Sequence, residues 1–240
     1  MICKTRGIVF KTIRYTDHSR ITKIFTEEFG LRSYMIRGFS SKKNTSLKSA
    51  LQPFSILHLV VYEKEKEGLQ NIREIEHIHP YQSLLFDMKK SSIALFMNDI
   101  MYRSIHSEEP DKALFHFLLN ALTTLDLAEK FFENHHLYFL TELSRLLGFG
   151  PMNNFSPFNQ FFDLQEGLFI SQQPLHNNFL IPSLGQKLSL MISDPLHHKL
   201  LFPNADSRNE MLVKLIDYYR LHIPGFGEVK SHLVLKEILS

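Results

Sequence analysis

The spacing of apolar residues changes once along this chain, at Pro80, and that change constrains the fold more than any other feature. In residues 2–14 apolar and polar side chains roughly alternate and β-branched residues are frequent, the pattern of a half-buried strand. A turn at residues 15–19 leads to a second alternating stretch, 20–29, closed by Gly30. Residues 31–39 predict a third strand and 69–78 a fifth. Residues 51–62 predict a fourth, with Pro53 near its start, where a missing N–H is tolerated. Between them, 40–49 reads as a polar loop with three lysines, and 63–68 as a charged turn. Five short strands in about 80 residues fit a small closed β-barrel of either the OB or the SH3-like kind.

Beyond Pro80 the spacing becomes three and four. Leu84, Leu85, Met88, Ile93, Phe96, Met97, Ile100 and Met101 predict an amphipathic helix over residues 81–104. Pro110 in an acidic first turn starts a long helix through Phe115, Leu118, Leu122 and Leu125. Residues 135–147 predict another, stopped by Gly148 and Gly150-Pro151. Residues 152–182 are irregular, with a hairpin expected around Glu166-Gly167, and further helices are expected over 183–202, 207–221 and 228–239. No apolar run approaches the roughly 18 residues of a spanning helix, and residues 1–20 carry no apolar leader pattern, so a cytoplasmic location is expected. The single cysteine, Cys3, excludes an intramolecular disulfide and a cysteine-cluster zinc site.

The formal net charge of +2 hides an asymmetry. Residues 1–80 carry 14 Lys/Arg against 8 Asp/Glu, a net of +6, and residues 81–240 carry 13 against 17, a net of −4. A basic module joined to an acidic one points to a polyanionic partner for the first. Its cations are interleaved with aromatic residues. Arg14, Tyr15, Arg20 and Lys23 flank the first turn, Arg32, Tyr34 and Arg37 lie on the third strand, and Lys42, Lys43 and Lys48 crowd the loop after it. Residues two apart share a strand face, so Arg32 and Tyr34 are expected together and Arg37 opposite. Cations neutralise phosphates and rings stack bases, which suits nucleic acid.

Enzyme signatures are poor. No phosphate-binding glycine loop, nucleotide fingerprint or Gly-x-Ser-x-Gly elbow occurs. Glu63, Glu65 and Glu67 alternate with lysines and read as solvated charge rather than as nuclease carboxylates. The adjacent pairs His135-His136 and His197-His198 diverge on a helix, and no His-Glu-x-x-His is present. No catalytic residue, metal or cofactor is expected. Phe155, Phe158, Phe161 and Phe162 read as core or as a groove for a partner peptide.

These residues, taken in order, resemble a known family. Arg6-Gly7, Tyr15, Ser19-Arg20, Phe29-Gly30, Arg37-Gly38 and the Leu51–Phe54 run are similar to the start of the bacterial recombination mediators of the RecO family. Leu146 to Pro151, Phe162 to Phe169, and Tyr218-Tyr219 through Lys230 are similar to its middle and end. The resemblance implies an α+β multidomain chain: an N-terminal OB-fold barrel over 1–80, then an all-α helical domain over 81–240 with a small β-hairpin insertion near 152–182. It implies a DNA repair and recombination protein of the cytoplasm, associated with the nucleoid, that binds single- and double-stranded DNA and anneals complementary strands. The implied partners are RecR, in some cases RecF, the C-terminal tail of single-stranded DNA-binding protein, and RecA, which they load. Many members carry two Cys-x-x-Cys pairs after the Leu-Gly-aromatic-x-Pro motif; here none follows Pro151, so no zinc ribbon is expected.

The expected DNA contacts are therefore Arg14, Tyr15, Arg20, Arg32, Tyr34, Arg37, Lys42, Lys43 and Lys48. The alternative expectation is an OB-fold interaction scaffold that binds an acidic peptide tail, with DNA incidental.

Overall fold

The computed structural model describes all residues except 38, 40–44, 64–67, 79 and 195–200. Five strands form a closed barrel: β1 (Ile2–Arg14), β2 (Ser19–Thr26), β3 (Gly30–Arg37), β4 (Ile56–Tyr62) and β5 (Leu69–His77). Their order around the barrel is β1-β2-β3-β5-β4, closed by β1 pairing with β4. All pairs are antiparallel except β3 with β5, which is parallel and short, running from Ser33↔Leu69 to Met35↔Asn71. This order, with a helix between β3 and β4, is the OB arrangement, and it resolves the choice of barrel that alternation left open.

The inside of the barrel holds Val9, Ile24, Tyr34, Ile36, Leu57, Leu59 and Val61. Gly7 belongs to this interior, where an added Cβ would lie 2.5 Å from Ile24 Cγ2. Residues 45–49, expected as loop, instead belong to helix α1 (Thr45–Ala50). Leu47, Ala50 and Leu51 pack it into the barrel core. The fourth strand is correspondingly shorter than expected, beginning at Ile56. The chain before it turns through Phe54, with φ +57°.

Helices α2 (Met88–Ser104) and α3 (Lys112–Leu127) follow, then α4 (His135–Leu146), α5 (Pro182–Ser193), α6 (Ala205–His222) and α7 (Ser231–Leu239), seven helices among the described residues. The expected hairpin is present as β6 (Phe161–Asp163) and β7 (Leu168–Ile170). A third strand, β8 (Phe179–Leu180), makes it a small sheet of order β7-β6-β8.

The chain divides into two compact units. One comprises Met1–Leu85 with Asn98–Asp126; the other comprises Phe86–Met97 with Leu127–Ser240. The first unit therefore holds the barrel, the C-terminal part of α2 and nearly all of α3. There Phe25 meets both Phe10 (ring centroids 5.9 Å apart) and Phe115 of α3 (6.2 Å). Asp126, buried at the end of α3, accepts backbone N–H bonds from Gln82 (3.0 Å), Ser83 (2.9 Å) and Leu84 (2.8 Å).

In the second unit, Tyr218 and Tyr219 of α6 donate to the carbonyls of Phe149 (2.6 Å) and Leu140 (2.7 Å). The Phe149 ring stacks on His222 at 5.5 Å. Of the four phenylalanines between Pro151 and Asp163, Phe155, Phe161 and Phe162 pack on Phe169, Phe179 and Tyr218. Phe158 stands 83% exposed and takes no part in the core.

Candidate nucleic-acid interface

The barrel presents its expected cations unequally. Arg14 closes β1 and Arg20 is the second residue of β2, and the two face each other in register. Arg37 ends β3 opposite Ser19. Lys48 lies on α1. Two of them meet on one ring, Phe39: the Arg20 guanidinium lies 4.7 Å from its centroid and the Lys48 ammonium 6.0 Å. The Phe39 backbone N–H donates to His18 O at 3.2 Å, which ties the end of β3 to the β1–β2 turn. Four of the expected cations thus gather from four elements at one end of the barrel.

Within this group the side chains are held differently. Arg20 donates from Nη1 to the carbonyls of Thr16 (3.0 Å) and Ser19 (2.9 Å), which fixes its plane against the turn. Arg14 pairs with Asp17, but both are exposed, and an exposed pair three residues apart holds its charges only loosely. Arg37 is exposed and, among the described residues, has no carboxylate partner. Tyr15 is 59% exposed on the turn, and its ring is open to stacking. Lys42 and Lys43 lie outside the described residues.

Arg37 also lines a cleft of about 850 Å³ between β3, α1 and β5, the gap left where the short parallel pairing ends. Arg73 lines the same cleft and pairs with Glu74 at 3.2 Å. Met35, Tyr62 and Asn71 contribute its walls, so its lining mixes cations with flat and apolar surface.

Two expected residues are corrected by their surroundings. Tyr34 shares a face with Arg32, as alternation requires, but that face is the inward one. Tyr34 is fully buried in the barrel core and offers no ring surface to a base. Burial, with Glu63 close by, raises the pKa of its hydroxyl. Arg32 sits at the opposite end of β3 from Arg37 and is already neutralised. Its Nε donates to Glu63 at 3.0 Å, and its Nη1 to the Glu108 carbonyl at 2.7 Å and carboxylate at 3.3 Å. Glu63 is correspondingly a half-buried ion-pair partner, not the solvated charge its sequence context suggests; Glu65 and Glu67 lie outside the described residues.

Three residues that strand alternation does not bring together do meet on the outer face of β1 and β2. Lys11 and Lys23 are direct cross-strand neighbours, and both ammoniums approach the ring of Tyr102 on α2, at 4.7 and 5.3 Å. A slip in the β1–β2 register between Val9 and Lys11 produces this pairing, and nothing in the local pattern announces it. Among the described residues, no group of three or more His, Cys, Asp or Glu side chains is placed to hold a metal ion. Among the described residues, no helix is long and apolar enough to cross a membrane.

Two family models match the chain, described as "Recombination protein O N terminal" over residues 1–81 and "Recombination protein O C terminal" over residues 85–156. Proteins called "DNA repair protein RecO" match at full length. The one from Phocaeicola vulgatus is 35% identical over 241 residues, covering 100% of both chains. That from Flavobacterium psychrophilum is 37% identical over 248 residues, again covering 100% of both. That from Azobacteroides pseudotrichonymphae is 33% identical over 241 residues, covering 99% of each.

Proposed function

The chain belongs to the RecO family of DNA repair and recombination proteins, and on that premise we propose that its barrel binds single- and double-stranded DNA through the phosphate backbone and anneals complementary strands. The observation that carries this reading is the gathering of Arg14, Arg20, Arg37 and Lys48 at one end of the barrel, with Arg20 and Lys48 on the Phe39 ring. On charge and sequence position we assign Lys42 and Lys43 to DNA binding as well, and Tyr15 supplies a base-stacking ring.

Mechanism follows from charge. Two strands repel through their phosphates, and cations that replace condensed counterions lower that repulsion while releasing ions to solvent. Base pairing then supplies all the specificity, so no catalytic group is required and the protein acts as a mediator rather than an enzyme. A ring such as Tyr15 holds any base equally well, worth roughly 1–3 kcal/mol per base. In the repair reaction the chain works with RecR, in some settings with RecF, and recognises the C-terminal tail of single-stranded DNA-binding protein. RecA is then loaded on the strand so exposed. The work is carried out in the cytoplasm, at the nucleoid.

The test is strand annealing by the full-length chain, with complementary oligonucleotides bare or coated with single-stranded DNA-binding protein. Acceleration in both cases is expected. No acceleration of bare strands refutes the annealing role; acceleration of bare strands alone refutes the recognition of the coating protein.

A further inference from the structure

The outer face of β1 and β2 carries a second cationic assembly, away from the barrel end. Its origin is a β-bulge. Val9 pairs with Ile24, but the next paired residues are Lys11 and Lys23, so Phe10 is the extra residue on β1. The side-chain parity of β1 changes there. Val9 before the bulge and Thr12 after it both face inward, towards Ile24 and Thr22, and Thr12 Oγ1 lies 2.9 Å from Thr22 Oγ1. Lys11 and Lys23 consequently project outward side by side.

Two like charges directly opposite on an antiparallel pair oppose folding. Among the described residues, neither lysine meets a carboxylate. What they meet is one aromatic ring, Tyr102, whose quadrupole attracts both ammoniums. The ring is placed by the bulge itself. Asn98, one helical turn before Tyr102 and so on the same face of α2, is buried and donates from Nδ2 to Phe10 O at 2.8 Å. A single irregularity thus seats the helix, brings the ring over the strands and turns the two lysines towards it. Ile13, two residues on and 47% exposed, continues this face towards the hairpin.

We propose that Lys11, Lys23 and Tyr102 form a second phosphodiester-binding site, which holds the backbone of a second strand while the first lies at the Phe39 end; this rests on the DNA-binding reading above. The chemistry favours a backbone over a base, because ammoniums occupy the ring that a base would need. It favours phosphate over an acidic peptide. Lysine ammoniums bind phosphate as compact point charges, whereas acidic peptide motifs are read chiefly by arginine clusters. Tyr102 acts here as a positioning residue, keeping both charges at one point despite their repulsion.

The experiment measures how many short single-stranded oligonucleotides the full-length chain binds, and its annealing rate. The variants are Lys11→Gln/Lys23→Gln, Tyr102→Leu and Tyr102→Phe. Wild type is expected to bind two strands. The double lysine variant should keep the first, lose the second and anneal about tenfold more slowly. Its melting temperature should not fall, since a repulsion has been removed. Tyr102→Leu should behave like the lysine variant, and Tyr102→Phe, which keeps the ring, like wild type. A wild type that binds one strand, or a lysine variant that still binds two and anneals normally, overturns the second site and leaves the first intact. Polyglutamate binding that the lysine variant loses, with oligonucleotide binding unchanged, overturns it in favour of a peptide. A wild type that binds no DNA overturns the DNA-binding reading itself.

Discussion

Arg32 and Tyr34 lie two residues apart on β3 and share a face. Alternation establishes the sharing but not which face is inward. That depends on the residues that close around it, and here Ile24, Leu57 and Val61 enclose Tyr34. Its hydroxyl has no hydrogen-bond partner. Tyr34→Phe is therefore expected to leave DNA affinity unchanged and stability equal or higher, since it removes a buried, unsatisfied polar group; calorimetry and an oligonucleotide titration check both. Arg32 behaves differently because its charge is already spent on Glu63 and Glu108. Arg32→Ala should cost about 1.5–3 kcal/mol of stability by leaving Glu63 unpaired, with little change in DNA affinity. A large loss of affinity in a variant of normal stability would return Arg32 to the DNA-binding surface. The charge excess of the first 80 residues was legible; the partners of each charge were not, because Glu108 is 76 residues away in sequence.

At the scale of elements, periodicity located the five barrel strands to within a few residues at most ends, and most of the later helices. It failed where an element is short or is set by contacts from afar. Helix α1 has six residues and one strongly apolar side chain, Leu47, too little for a helical pattern; it forms because it closes the barrel. The bulge at Phe10 is likewise fixed by Asn98, 88 residues later. The motifs behind the family resemblance acquire physical reasons. Gly30 takes φ +66°, and a Cβ there would lie 2.4 Å from Glu109 O. Gly150 allows no side chain because a Cβ would lie 2.7 Å from Arg145 Cα. Tyr218 and Tyr219 bind the carbonyls of Phe149 and Leu140. The segment after the barrel is held by one carboxylate, Asp126. Asp126→Ala should lower the melting temperature markedly, at about 1–3 kcal/mol for each backbone donor left dry. Unchanged stability would mean that residues 82–84 find other acceptors.

On the scale of the whole molecule, pH acts on both units, in different windows. In the second unit His136 is completely buried, packs edge-on against Phe96 at 5.9 Å, and is pushed down to about 3 by desolvation, reinforced by His135 and Arg208. A pKa lowered on folding means that the unfolded chain takes up the proton first. Stability is then complete above the ordinary value of 6.5 and falls as pH drops from there towards 3, by up to about 1.4 kcal/mol per pH unit. In the first unit Glu27, bonded at 2.6 and 2.7 Å to Arg6, has a lowered pKa, led by that bond. Its contribution is present above 4.5 and lost as pH falls below that. Melting curves of His136→Leu against pH should lack the first of these losses and keep the second; a wild-type slope between pH 6.5 and 4.5 would contradict it.

The central claim is that the barrel's end binds DNA by replacing counterions. Its most direct test is the affinity of the full-length chain for a single-stranded oligonucleotide as salt is raised from about 50 to 200 mM. Log affinity should fall linearly with log salt, and the slope of Arg37→Gln/Lys48→Gln should be shallower by about 1.4, two phosphate contacts at ~0.7 each. An affinity indifferent to salt, or a variant with the wild-type slope, would contradict the account.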